Sequence, residues 1–178
     1  MTELEIHQRG LLNLIKSRAV APNDPYLRRV ANSRELAMLR EIAVWWRAFQ
    51  IETRCRFTSR LLKRLDLFRA LVEAYFNNNA TSPFVEDLSR DFLLSLSHHP
   101  APLVRSVSQF ERAFLETRAG SPEAFEVLWD RNPDILLRAL EESTALPELE
   151  PRCVYRMQIA RDLPQVFACS CEVVVNIP

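Results

Sequence analysis

CVYRMQIA, residues 153–160, decides how this chain is built. Cys153, Tyr155, Met157 and Ile159 fall on one side of an extended chain, and Val154, Arg156, Gln158 and Ala160 on the other. That period of two is what a half-buried strand requires. RDLP at 161–164 supplies a turn, and β character resumes from Gln165 to Ile177 through the β-branched run Val173, Val174, Val175. Two such strands are only marginally stable alone. Their edges must be covered by the protein's own helices, by a second subunit or by an added peptide strand.

Upstream of this element the spacing is helical. Residues 3–18 place Leu4, Leu11, Leu12 and Ile15 on a helix, which APNDP at 21–25 interrupts, and a short helix follows through Tyr26 to Val30. Ser33 caps a long helix. Along it Leu36, Leu39, Ala43, Trp46 and Gln50 form one stripe that Ile42, Trp45 and Phe49 widen, so the pattern predicts deep burial. Phe57, Leu61, Leu62 and Leu65 continue the pattern, and Asp66 is placed to cap the next helix, through Phe76.

Three helix starts share one grammar, a capping side chain followed by proline: Ser82-Pro83, Ser121-Pro122 and Asn132-Pro133. Gly120 ends one helix before Ser121-Pro122 opens another, and Leu103, Val107, Phe110 and Phe114 line a helix beginning after HHPAP. The expected fold is therefore α+β and mainly α. An N-terminal bundle of about seven helices occupies residues 1–145, and a small C-terminal antiparallel β element occupies 146–178, entered through the linker LPELEP.

The 178 residues suffice for one core, and 48% apolar with 26% charged residues is ordinary for a globular protein. Lys and Arg number 23, as do Asp and Glu, so no net field draws the chain to nucleic acid or anionic lipid. No apolar run approaches the ~20 residues of a membrane span. The opening MTELEIHQRG has no basic start followed by an apolar stretch, which makes a cytoplasmic protein the expectation. Only Gly10 and Gly120 are glycines, too few for phosphate-cradling loops.

Catalytic and metal motifs are absent from this reading. Cys153, Cys169 and Cys171, with His98-His99, contain elements of a zinc site without its paired spacing, and read better as small buried free thiols and as histidines at a helix C-terminus. Carboxylates at Glu86-Asp87 suit a helix start. The basic cluster of Arg56, Arg60, Lys63 and Arg64 shares one helical face, either solvated or turned to a partner. Trp45 and Trp46 read as packing residues.

RCRFTSRLL, AYFNNNATSPFVEDLSRDFLLSL and SQFERAFLETRAG, within residues 54–120, resemble a bacterial family labelled as DNA-binding domains that accompany an iron-dependent TIM-barrel partner. Leu88-Ser89 and Arg112 depart from that family's usual residues. More closely, NDPYLRRVANSRELAMLREIAVWWRAFQIETRCRFTSRLLKRL, VLWDRNPD and YRMQIARDLP resemble the C subunits of methanobactin biosynthesis.

The resemblance implies a chain that is not an enzyme by itself and holds no cofactor, paired as a heterodimer with an iron-binding TIM-barrel subunit. That partner, using dioxygen, converts cysteines of a ribosomal precursor peptide to oxazolone and thioamide groups. The β element would recognise the precursor's leader by strand addition, through Tyr155, Arg156, Gln158 and Ile159 in one strand and Val173, Val174 and Val175 in the other. Arg56, Arg60 and Arg64 would face the partner subunit. A DNA-binding regulator is the alternative that the family label suggests.

Overall fold

Phe110 shows how the chain folds. Its ring meets Phe57 at 6.0 Å, Trp129 at 5.9 Å and Phe167 at 6.2 Å, so one aromatic side chain joins two helices to two strands. The computed structural model describes residues 2–16, 24–82, 84–150, 152–163 and 165–173. Among them the order is α1 (Glu3–Ile15), α2 (Pro25–Ala31), α3 (Arg34–Arg54), α4 (Arg56–Arg64), α5 (Phe68–Asn78), α6 (Val85–Ser95), α7 (Pro102–Arg118), β1 (Phe125–Trp129), α8 (Pro133–Glu142), β2 (Cys153–Ile159) and β3 (Phe167–Val173). The fold is mainly helical with a small three-stranded antiparallel sheet, in the order β1-β2-β3.

Helices and sheet share a single main core. Leu61 and Leu62 of α4, Phe92 of α6, Val104 and Val107 of α7 and Leu136 of α8 are fully buried together with Met157 and Ile159 of β2. A smaller cluster of Leu14, Leu27 and Leu36 ties α1 and α2 to the start of α3. Gly10 permits this approach, since a Cβ there would lie 2.3 Å from Leu27 Cδ1.

Of the expected helix caps, Ser33 and Asn132 hold, the second being the one cap-plus-proline start that does. Ser33 Oγ accepts from the Leu36 amide at 3.2 Å, and Asn132 Oδ1 accepts from the Asp134 and Ile135 amides at 3.0 and 3.2 Å. Ser82 Oγ instead accepts from Phe84 N at 3.1 Å, ahead of a helix that starts at Val85, and Pro83 lies outside the described residues. Asp66 caps nothing: its backbone turns left-handed, with φ of 55°, and α5 has no side-chain cap.

Two expectations are corrected. Ser121-Pro122 does not open a helix: Gly120, at φ of 97°, ends α7, and β1 follows inside the segment assigned to the helical bundle. Phe125, Val127 and Trp129 turn inward while Glu126 and Leu128 turn outward, a short alternation that the preceding Ser-Pro signal masked. The second correction is α3. Only Leu36, Val44 and Ile51 are buried there, while Met38, Leu39, Ile42, Trp45, Trp46 and Phe49 are exposed. The richest apolar stripe of the sequence faces outward.

Candidate functional site

β2 is the middle strand. It pairs with β1 from Phe125↔Ile159 to Trp129↔Tyr155 and with β3 from Cys153↔Val173 to Ile159↔Phe167. Both of its backbone edges are therefore occupied, and an incoming strand can pair only with β1 or β3. The outer side of β1 is partly taken: Ser106 Oγ of α7 donates to the Leu128 carbonyl at 2.7 Å. β3 is the terminal strand of the sheet, with no further strand beside it among the described residues.

The alternation read from the sequence assigns the two faces of this sheet. On the outward face Arg156 sits between two carboxylates, Glu126 of β1 at 2.5 Å and Glu172 of β3 at 3.7 Å. The three charges form a ladder across all three strands, which favours this register over a slipped one. Gln158 lies on the same face, opposite Glu126 and Ala168, and is exposed. Ser170 Oγ reaches back to the Arg156 carbonyl at 3.4 Å.

On the inward face, burial divides along the strands. Met157 and Ile159 are sealed in the core, while Cys153 and Tyr155 are half-buried and Cys169 and Cys171 exposed. The Tyr155 hydroxyl donates to Glu150 Oε2 at 2.7 Å, and this bond to a carboxylate holds its proton well above the usual phenol range. The Cys153 thiol is raised chiefly by the neighbouring Cys171 thiol, and the Cys169 thiol by partial desolvation at the sheet surface. All four cysteines are free.

These positions sort the expected peptide contacts. Tyr155, Arg156 and Gln158 reach the sheet surface, but on a strand without a free backbone edge. Ile159 is fully buried and faces the core instead of a bound peptide. Val173 closes the described part of β3 opposite Cys153, whereas Val174 and Val175 lie outside the described residues.

The arginines expected at a partner surface are engaged within the chain. Arg60 donates to the Leu140 and Glu141 carbonyls at 3.3 and 3.0 Å, and Arg64 to those of Ala139 and Thr144 at 2.8 and 2.6 Å. Both satisfy carbonyls at the C-terminal end of α8, where cations also complement the helix dipole. Arg56 is exposed. On the exposed face of α3, Trp45 and Trp46 each stack near Phe49, with centroids 5.9 and 5.7 Å apart.

One buried charge escaped the sequence reading. Glu111 of α7 accepts from the Phe57 and Thr58 amides at 2.9 and 2.8 Å and so caps α4, which has no side-chain cap of its own. Burial pushes its carboxyl up to about 7 against the opposing pull of those amides. The signal was present in FERA, where a glutamate sits on the same face as Val107, but such spacing does not distinguish a cap from a solvated side chain.

A cleft of about 370 Å³ between α3, α6 and α7 is lined by Arg54, Arg90, Arg112, Glu86 and Glu116. Its cations are matched by acids: Arg54 meets Glu86 at 2.7 Å, Arg112 meets Glu116 at 3.8 Å and Arg90 meets Asp87 at 3.6 Å. His98 and His99 lie in the turn between α6 and α7, His99 Nδ1 accepting from the Ala101 amide at 3.2 Å. Among the described residues no three of His, Cys, Asp and Glu are grouped to hold a metal ion, and no helix is long and apolar enough to cross a membrane. Compared with protein-family models, curated proteins and solved structures, the chain matches none.

Proposed function

We propose that this chain is a non-catalytic recognition subunit, working in the cytoplasm beside an iron-dependent TIM-barrel subunit that oxidises cysteines of a ribosomal precursor peptide of the methanobactin type. The observation that carries the reading is the terminal strand β3, Phe167–Val173, whose outer side has no strand beside it among the described residues. An extended leader laid along it would gain ladder hydrogen bonds for affinity and alternating side-chain contacts for register. Arg156, Gln158, Ser170 and Glu172 would then border the peptide on the outward face.

The aromatic face of α3 supports the heterodimer. A contiguous set of exposed Met38, Ile42, Trp45, Trp46 and Phe49 is larger than a lone protein needs to leave in water. Aromatic anchors of this kind are also the residues that dominate interfaces. The occupant proposed for it is the barrel subunit, which would supply iron and dioxygen chemistry. Peptide recognition and partner docking would use separate surfaces.

Co-expression with the barrel subunit and titration of a labelled methanobactin-type leader peptide test the reading. The expected result is a one-to-one complex with iron in the barrel subunit and leader affinity that falls at least tenfold when residues 172–178 are deleted. A chain that stays alone and ignores the peptide, while retarding duplex DNA with a steep salt dependence, would favour the DNA-binding alternative.

A further inference from the structure

We propose that Cys153 and Cys171 form a reversible disulfide that ties β3 to β2. The register places Cys153 opposite Val173 and Tyr155 opposite Cys171, so the two cysteines are diagonal neighbours on the same face of adjacent strands. Both cysteines are free, the neighbouring Cys171 thiol raises that of Cys153, and Cys171 is exposed to reagents in solution. Cys169 shares that face but sits one pair further along, opposite Met157, which leaves Cys171 between it and Cys153.

The oxidant is a small-molecule disulfide. The exposed Cys171 thiolate attacks one sulfur of oxidised glutathione, the S–S bond breaks, and one glutathione thiolate leaves with the electron pair. Cys153 then loses its proton to solvent and attacks Sγ of Cys171, expelling the second glutathione thiolate. Two protein thiols and one glutathione disulfide become one protein disulfide and two glutathione thiols. The product closes the end of β3 away from the Phe167 core contact, on the strand that carries the open edge.

The inference needs neither the barrel subunit nor the peptide, and its test uses the full reduced chain with oxidised glutathione alone. After an acid quench and alkylation of remaining thiols, tryptic cleavage at Arg152, Arg156 and Arg161 separates Cys153, in residues 153–156, from Cys169 and Cys171, in residues 162–178. The expected product is these two peptides joined, lighter than their sum by two hydrogens and separated again by dithiothreitol. Cys169→Ser should leave that link intact and Cys171→Ser should abolish it. Glutathione adducts alone, a Cys169 to Cys171 bond, a link that survives Cys171→Ser, or no oxidation would each overturn the proposal.

Discussion

Two consecutive helices, α3 and α4, invert the roles that hydropathy assigns them. The apolar stripe of α3 carries Trp45 at 63% exposure, while Arg60 and Arg64 of α4 turn to the chain's own carbonyls on α8. The difference lies in what each helix must satisfy. α4 is wedged between α7 and α8, and its ends meet unpaired backbone groups that only charged or polar side chains can complete. α3 lies across the bundle and needs only Leu36, Val44 and Ile51 to hold it there. Its large apolar residues Met38, Leu39, Ile42, Trp45, Trp46 and Phe49 remain exposed.

The largest effect that would break this comparison is at Glu111. Glu111→Ala should lower stability by about 3 kcal/mol, because two α4 amides lose their acceptor in a buried site. Urea unfolding checks this, and a loss below about 1 kcal/mol would mean that α4 is held by packing instead. The same carboxyl predicts a pH signature. Its folded value of about 7 lies above the ordinary 4.5, so the stability that its protonated form contributes is complete below about 4.5 and is lost as pH rises through about 7. Glu111→Gln should flatten that part of the stability curve.

Arg64→Ala comes next, with a loss of about 1–2 kcal/mol from two hydrogen bonds to the end of α8. Arg64→Lys should recover only part of it, since an ammonium cannot span both carbonyls as a guanidinium fork does. The smallest expected effect on stability is on α3, where Trp45→Ser should change it by less than about 0.5 kcal/mol. Co-purification with the barrel subunit should fail in that variant. A large stability loss at Trp45 with partner binding intact would reverse the roles of the two helices.

The fold was legible where local chemistry speaks for itself. Period-two spacing marked β2 and both of its faces, and Ser33 and Asn132 marked helix starts that the structure carries. β1 was missed because five residues of alternation followed a Ser-Pro pair that reads as a helix start, as the Asn132-Pro133 pair is. The facing of α3 was missed because periodicity gives the width of a stripe and not what lies opposite it. Of the site, Arg156 and Gln158 could be placed on a shared face from sequence, but which face is outward and the middle position of β2 depend on pairing with a strand at residues 125–129. Non-local pairing of that kind leaves no spacing signal.

The open edge of β3 is the central claim, and amide hydrogen exchange of the complex with and without the leader peptide tests it most directly. The account predicts new protection concentrated in residues 167–173, with β1 unchanged and the buried residues of β2 already protected. Leader binding that protects β1 or the helices while leaving residues 167–173 exchanging as before would contradict it.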